Sequence, residues 1–238
     1  MIILLLIGVF DSFLFPGGIL FEKQSNPAQL YESRLEVVFT GETKYGLPEL
    51  RTISIYSQID RCSVKAASFG NSLYRENFFE AGFGFPVGQR FAFGINVAGL
   101  NCWIKDVSNE FTGAFKVGGQ FEKEPILVSA WVSNVNVPRL SAVDYVPICY
   151  SLSCDYRGHA NLHFNFTVRG VDRGLPFYNF GLEFQPYRIL TLGAGVNTEP
   201  LLLEYGLQLS LGKLCLSYSG NQHQQLGLTH NVAIGFLQ

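Results

Sequence analysis

The stretch GLTHNVAIGF, residues 227–236, lies near the end of the sequence and alternates between two kinds of side chain. Val232, Ile234 and Phe236 fall on one parity, whereas Asn231 and Ala233 fall on the other. Successive side chains of a β-strand point to opposite faces, so one face of this strand is apolar and the other is small or polar. Both the last strand of a soluble sheet and the closing strand of a membrane barrel have this pattern. The rest of the chain decides between them.

The composition favours an all-β protein. The 238 residues include 21 Phe, 11 Tyr and 25 Gly, and only 15% of them are charged. Ordinary soluble domains have about 25% charged residues. Aromatic residues suit half-buried strands and glycine suits turns. The formal net charge of -2, without a block of like charge, gives no indication of a nucleic-acid partner.

The N-terminus has a run of nine apolar residues after Met1, which ends before Asp11. This run is shorter than the roughly 20 apolar residues that a membrane-spanning helix needs. Its length fits the apolar region of a secretory signal peptide, which we predict in residues 1–15. The alternative is a buried N-terminal strand or helix.

After residue 34 the chain repeats an alternating segment followed by a turn signal. Most of the turns are short, and the longest gaps are 42–49 and 134–144. The pattern predicts strands at 34–42, 50–59, 61–69, 75–86, 89–103, 110–122, 125–134, 145–156, 159–170, 176–186, 188–197, 200–211, 213–220 and 226–237.

The less apolar face of these segments favours a membrane barrel. A soluble sandwich or barrel turns its apolar faces inward and covers its exterior with charged side chains. Here the opposite faces carry mostly Gly, Ala, Ser, Asn, Thr and Gln, which suits the interior of a barrel whose apolar side meets lipid. An even number of strands and segments of about ten residues also fit a transmembrane antiparallel β-barrel of about 14 strands. A soluble β-sandwich that binds a ligand is the alternative.

Such a barrel predicts where particular side chains lie. The closing strand pairs with the first strand near Val37, which leaves no open edge. Val232 then faces lipid, and His230 shares that parity at an interfacial position. Tyrosines near segment ends, Tyr56 and Tyr218 among them, fit an aromatic belt.

Several stretches resemble a known family. SNPAQL (25–30) followed by LEVVF (35–39) looks like the NPAGL element and first strand of PorV/PorQ-type and FadL-like outer-membrane barrels. FPGG (15–18) resembles the glycine-rich segment before that element. EAGFGFPVGQRFAFGI (80–95) is similar to the family's fourth-to-fifth strand hairpin, and QLGLTHNVAIGF (225–236) to its closing strand.

The resemblance implies an outer-membrane barrel in residues 34–238, preceded by an N-terminal plug-like segment in 16–33 that contains the motif residues Asn26, Pro27 and Ala28. A luminal position for this short segment is part of what the family implies. Gln29 departs from the family, in which glycine is usual at that position.

The function implied by the resemblance is transport of hydrophobic compounds or an accessory role in type IX-like protein secretion. A non-conducting structural or partner-anchoring barrel is the alternative. The implied location is the bacterial outer membrane. The implied partners are the lipid bilayer, the barrel-assembly machinery, and a hydrophobic small molecule or a secreted protein.

Inward polar residues are the candidates for a functional lining. Charged side chains at membrane depth tend to face inward and to pair, so we expect pairing that makes the interior rigid, with a pore lining as the alternative. The candidate lumen-lining residues are Lys65, Glu80, Asn96, Lys116, His163, Glu183 and Glu204.

The sequence gives no indication of an enzyme, a cofactor or a metal site. No nucleophile, phosphate-loop or paired-acid motif is recognisable. His159 and His163 fall in one predicted strand, about 13 Å apart, which is too far for chelation. Gly82-x-Gly84 lacks a dinucleotide-site context and is read as relief of strand curvature. Cys149 and Cys154 have opposite parities, so we expect the five cysteines to be small packing residues, with one disulfide elsewhere as the alternative.

Overall fold

The structure is a closed antiparallel barrel of 14 strands, which confirms the predicted fold class. It is a computed structural model that describes residues 26–32, 34–140, 145–172, 174–198 and 200–238. The predicted signal peptide lies outside the described residues. The strands are β1 (Arg34–Thr43), β2 (Arg51–Asp60), β3 (Cys62–Gly70), β4 (Tyr74–Val87), β5 (Phe91–Ile104), β6 (Ser108–Lys123), β7 (Ile126–Ser133), β8 (Cys149–His159), β9 (Leu162–Val171), β10 (Phe177–Tyr187), β11 (Leu190–Thr198), β12 (Leu201–Leu211), β13 (Leu214–His223) and β14 (Gly227–Leu237).

Each strand is antiparallel to its neighbours in sequence, and β14 closes the barrel on β1. The closing strand pairs with β1 near Val37, as the sequence predicts, and Val37 lies opposite Phe236. Because every strand has a partner on both sides, the barrel has no free sheet edge.

The exterior of the barrel is apolar and its interior is small or polar. On β14, Val232 and Ile234 are exposed, whereas Asn231 and Ala233 are buried in the lumen. The same alternation continues in β5, where Phe93 and the other exterior side chains are large and apolar. Such an apolar surface is unfavourable in water and favourable in lipid. In a closed barrel the strands satisfy one another's backbone hydrogen bonds, so the backbone needs no water. The barrel is therefore a transmembrane one. The soluble sandwich is therefore wrong.

Helices make little contribution to this fold. Three short 3₁₀ helices are present in the described residues: Pro27–Tyr31, Lys44–Gly46 and Pro48–Leu50. Within the described ranges, none has the length and apolar character that would let a helix cross a membrane.

Strand boundaries agree with the sequence prediction to within two residues, except around residues 145–162 and at the end of β13, which continues to His223 rather than ending at residue 220. The predicted strand 145–156 begins at Cys149, because residues 145–148 belong to a connection that enters the lumen. His159 is on β8 and His163 is on β9, joined by a tight turn, so their placement on one strand is wrong. His159 lies opposite Leu162 instead.

The two ends of the barrel differ. Arg34 of β1 and Leu237 of β14 lie at the same end, which we call the terminal end, together with the tight turns after the even-numbered strands. The opposite end, the loop end, carries the connections after the odd-numbered strands. The longest of these joins β7 to β8 and comprises residues 134–148.

The cysteines are free thiols. Cys149 is buried in the lumen and Cys154 is exposed on the exterior, as their opposite parities predict.

Candidate functional site

Residues 26–32, which we call the luminal segment, lie inside the barrel. They form a single 3₁₀ helix, Pro27–Tyr31, that packs against β4, β5 and β6. Asn26 caps the helix, since its side-chain Oδ1 accepts the backbone N–H of Ala28 at 2.9 Å. Its Nδ2 donates to the carbonyl of Gly119 at 3.2 Å. The motif residues Asn26, Pro27 and Ala28 are buried, and the first of them ties the segment to the wall.

Inward glycines of the wall make room for the backbone of the luminal segment. A Cβ on Gly84 would lie 2.7 Å from the backbone of Leu30, and one on Gly118 would lie 2.9 Å from Cδ of Pro27. Such distances are below any normal contact, so side chains at these positions would expel the segment. Close approach of a second backbone therefore explains Gly84, whereas a Cβ on Gly82 would meet the side chains of Asn96, Ser63 and Leu30. The glycines of this cradle are Gly82, Gly84, Gly94 and Gly118.

Hydrogen bonds hold the other end of the luminal segment. The hydroxyl of Tyr31 donates to Oε2 of Glu122 on β6 at 2.9 Å. Burial, helped by this hydrogen bond, raises the pKa of Tyr31, so its phenol remains a donor through the physiological pH range. Gln58 of β2 donates to the carbonyl of Glu32 at 2.8 Å.

Tyr56 also faces the lumen, so its assignment to the exterior aromatic belt is wrong. Its ring is buried with Leu30, Val38 and Ala233. Its hydroxyl donates to Oε1 of Gln58 at 3.0 Å. A tyrosine close to a strand end suits either face when the lumen contains an apolar segment to pack against.

A charged layer lies beside the luminal segment. Nζ of Lys116 is 3.6 Å from Oε2 of Glu80, and the two residues are only 3% and 4% exposed. Lys65 lies opposite Glu80 in the β3–β4 pairing, and buried Asn96 lies opposite Lys116. Because a buried charge is very costly without a partner, this arrangement requires the opposite charges to stay together.

The remaining candidate residues lie elsewhere on the wall, on β9 to β12. Nδ1 of His163 is 3.8 Å from Oε2 of Glu183. The carboxylate of Glu204 accepts hydrogen bonds from the amides of Asn179 and Asn197, the former at 3.1 Å. These side chains are less buried than the charged layer. The structure thus divides the predicted lining into two separate groups.

An apolar cluster fills the lumen on the other side of Lys116, and sequence reasoning missed it. The ammonium group of Lys116 is 5.2 Å from the centre of the Trp131 ring, which belongs to this cluster. The signal in the sequence was the presence of large apolar residues on the inward parity of β4 and β5. The buried members are Phe69, Phe78, Ala98, Leu100, Ala114, Trp131, Leu140, Val146 and Cys149.

The β7–β8 connection supplies Leu140 and Val146 to this apolar cluster. The connection turns inward at Asn134, whose φ is 60° and whose Nδ2 donates to the carbonyl of Pro147 at 2.7 Å. The positive φ of Asn134 and its hydrogen bond to Pro147 together turn the connection into the lumen at the loop end.

Asn136 closes the wall where β7 ends. Its Oδ1 accepts the backbone N–H of Phe115 at 3.0 Å, and its Nδ2 donates to the carbonyl of Gly113 at 2.8 Å. A side-chain amide offers the same donor and acceptor as a peptide group. The side chain of Asn136 therefore takes the place of a further β7 residue in the hydrogen bonding to β6.

Three solved structures resemble this barrel along almost its whole length. The toluene transporter TbuX of Ralstonia pickettii is 11% identical with a TM-score of 0.59, over 90% of this chain and 92% of that one. The CymD monoaromatic hydrocarbon channel is 10% identical with a TM-score of 0.61, over 91% of each chain. A FadL homologue from Pseudomonas aeruginosa is 10% identical with a TM-score of 0.57, over 89% of this chain and 92% of that one.

These likenesses show a shared fold, that of FadL-like outer-membrane barrels. No family model matches the sequence. No curated protein sequence matches it either. The predicted resemblance to FadL-like barrels is confirmed at the level of the fold, and the finer resemblance to PorV and PorQ stays a prediction.

Proposed function

We propose that this chain is a bacterial outer-membrane barrel that transports hydrophobic small molecules and has no catalytic role. The observation that carries the proposal is the apolar cluster inside the lumen, between the inward β7–β8 connection and the charged layer. An apolar molecule that passes the buried Glu76 near the loop end meets Phe78 and Leu100 before it reaches the Glu80–Lys116 pair. The likeness to a toluene transporter and a monoaromatic hydrocarbon channel supports the same substrate class.

In this proposal the two groups of lining residues have different roles. Lys65, Glu80, Asn96 and Lys116 form a packed layer, which the buried ion pair of Glu80 with Lys116 makes rigid. Glu183 and Glu204 on the opposite part of the wall are half-buried, and in this proposal they line the open part of the lumen. The luminal segment limits passage at the terminal end, and the barrel-assembly machinery inserts the protein.

Uptake by whole cells tests the proposal. Cells that express the protein in their outer membrane should accumulate radiolabelled toluene or oleate faster than cells with an empty vector. Heat-modifiable migration of the protein on a gel establishes that a folded barrel is present. Equal uptake by the two strains, with the folded barrel present in the outer-membrane fraction, would contradict transport.

A secretion-accessory or partner-anchoring barrel is the second candidate function. Large apolar side chains are exposed at the tips of the loop end, including Leu73, Val107, Leu175 and Leu226, which suits contact with another protein. A photo-crosslinking residue at position 107 would report a secreted partner in cells. Cross-links to one secreted protein, without uptake of toluene or oleate, would favour this function over transport.

A further inference from the structure

The inward faces of β11 and β12 are partly exposed along their whole length. Inward residues from Thr191 to Asn197 on β11 and from Leu202 to Ser210 on β12 are all half-buried. On β5, by contrast, the inward residues from Ala92 to Leu100 are all buried. β5 and β12 are seven strands apart in a closed barrel of 14, so they lie on opposite sides of the lumen. The lumen is therefore filled beside β5 and open beside β12.

The described segments that fill the lumen pack against the strands on the β5 side. The luminal segment contacts β4, β5 and β6. The β7–β8 connection places Leu140 and Val146 in the apolar cluster, whose other members come from β3 to β8. Both insertions lie across the lumen from β11 and β12. The wall from β9 to β12 therefore lines the open part of the lumen.

One row of inward residues across this wall has glycines at its centre. Glu183 lies opposite Gly193, which lies opposite Gly206 on β12. Ser219 of β13 follows, opposite Gly206. Because neighbouring strands are about 4.8 Å apart, about 14 Å of wall separates Glu183 from Ser219 without an inward side chain between them.

Ser219 indicates what this row faces. The residue is only 2% exposed, and its Oγ has no hydrogen-bond partner among the described residues. A buried hydroxyl in a native protein is normally satisfied by a protein group, water or an ion. Glycine occupies the neighbouring inward position, so no side chain at Gly206 supplies a partner. The hydroxyl therefore points to a hydrated or polar occupant beside the glycines.

The next row towards the loop end has the same arrangement. Asp155 adjoins Asn165, and Asn165 lies opposite Gly181. Gly181 lies opposite Gly195, which lies opposite Glu204. Each of the two rows thus has a pair of glycines with polar or acidic side chains on both sides. We call these two rows, together with Asp155, the polar groove.

Amide side chains orient two carboxylates of the polar groove. Nδ2 of Asn165 donates to Oδ1 of Asp155 at 2.7 Å. Nδ2 of Asn179 and Nδ2 of Asn197 donate to the two carboxylate oxygens of Glu204, at 3.1 and 2.5 Å. Because a carboxylate offers about four acceptor sites, both carboxylates keep acceptor capacity towards the lumen.

The polar groove carries a net negative charge. Its carboxylates are Asp155, Glu183 and Glu204, whereas Arg169 is the one Lys or Arg among the described inward residues of β9 to β12. Nδ1 of His163 is 3.8 Å from Oε2 of Glu183, and a protonated His163 balances one carboxylate. The carboxylates therefore outnumber the basic groups in either protonation state of His163.

The other inward charges do not offset this balance. Four basic groups are paired with a carboxylate, namely Arg34 with Glu36, Lys44 with Glu42, Lys116 with Glu80, and Arg157 with Glu122. Lys65 is outnumbered by Glu76 and Glu110, which share the inward parity of β4 and β6. The open lumen therefore presents an excess of carboxylates to a solute.

We propose that the polar groove conducts small hydrated cations across the outer membrane, as a second route beside the apolar cluster. Carboxylates that line a pore favour cations, and a cleft lined by one sign of charge raises the local concentration of the opposite ion. The glycines leave room for an ion with its hydration water. Apolar molecules meet Phe78 and Leu100 on the other side of the lumen, so the two kinds of solute contact different walls.

Reversal potentials test the selectivity of the polar groove. The purified full chain is reconstituted in planar bilayers under a KCl gradient, and the permeability of K⁺ should exceed that of Cl⁻ at least about threefold. Asp155→Asn with Glu183→Gln should lower this ratio to about one, because Glu204 and Arg169 then balance. Asp106→Asn with Glu124→Gln, which removes two exposed carboxylates from turns outside the lumen, should keep the ratio of wild type.

A side chain on the glycine floor tests the path itself. Gly193→Leu, which places a side chain in the polar groove, should lower the conductance at least about twofold. Ala194→Leu is the matched control, because Ala194 is the exposed exterior neighbour on the same strand, and its conductance should equal that of wild type. Heat-modifiable migration on a gel verifies that each variant is a folded barrel.

Three results would overturn the inference. They are a folded barrel without conductance, a K⁺ to Cl⁻ permeability ratio that is the same in wild type and the Asp155–Glu183 double variant, and equal conductance of wild type and the folded Gly193→Leu variant. Toluene uptake should be unchanged by Gly193→Leu, since the apolar cluster lies across the lumen. Conductance without toluene uptake would contradict only the transport of apolar molecules, so the two proposals fail separately.

Discussion

At the scale of the residue, single glycines decide whether the luminal segment fits. Gly94 on β5 lies so close to the carbonyl of Pro27 that a Cβ on Gly94 would overlap it. The neighbouring atoms are backbone and cannot rotate away. Glycine at this position is therefore a requirement of packing between two chain segments, not of strand conformation.

Gly94→Ala tests this requirement. We expect the substitution to lower the free energy of unfolding by about 1–3 kcal/mol, because it overpacks a buried contact. Urea titration in lipid vesicles, followed by tryptophan fluorescence, measures the change. Gly113→Ala is the matched control, since a Cβ there has its nearest neighbour at 3.8 Å and faces lipid. Equal loss of stability in the two variants would show that the luminal segment does not occupy the cradle.

The charged layer shows how residues on different strands depend on one another. Glu80 and Lys116 are separated by β5, and Ala98 of β5 lies opposite both Glu80 and Ala114. The small side chain between them lets the two charged groups meet at 3.6 Å. An inward charge thus needs a small neighbour as well as a partner.

At the scale of the element, the β7–β8 connection fills the lumen rather than extending into solvent. Its apolar residues Leu140 and Val146 are buried, whereas Val135 and Val137 are exposed. Buried apolar side chains of this size each contribute about 1.5–3 kcal/mol, which is enough to hold a loop inside the barrel.

Truncation of the buried side chains tests the role of this connection. Leu140→Ala with Val146→Ala should lower the free energy of unfolding by about 2–5 kcal/mol and should increase toluene entry, because the connection loses its inward contacts. Val135→Ala with Val137→Ala is the control and should change stability by less than about 0.5 kcal/mol. Urea titration and toluene uptake provide the two measurements. If both double variants behave alike, the connection does not obstruct the lumen.

At the scale of the whole molecule, the barrel has the reverse polarity of a soluble protein, because its exterior is apolar and its interior is polar. Phe93, Ile95 and Val97 on β5 are each about half exposed, and the residues between them are buried. A sheet in lipid must close into a barrel, because an open edge would leave backbone N–H and C=O groups without hydrogen-bond partners in hydrocarbon.

A charge on the exterior tests the position of the bilayer. Ile95→Arg, near the middle of the apolar belt, should cost about 2–4 kcal/mol, whereas Val87→Arg, at the edge of the belt beside the β4–β5 turn, should cost about 0–1 kcal/mol. Urea titration of the protein in lipid vesicles gives both values. Similar costs at the two positions would mean that the belt is not centred near Ile95.

The sequence by itself determined the number of strands, the alternation of faces along each strand and the closure of β14 on β1 near Val37. These features follow from alternation within a strand, which is local. Only the tertiary structure decided what fills the lumen: the contact of Gly94 with Pro27, the entry of Leu140 and the inward ring of Tyr56. These contacts join residues distant in sequence, and alternation predicts that a side chain faces the lumen but not what it meets there.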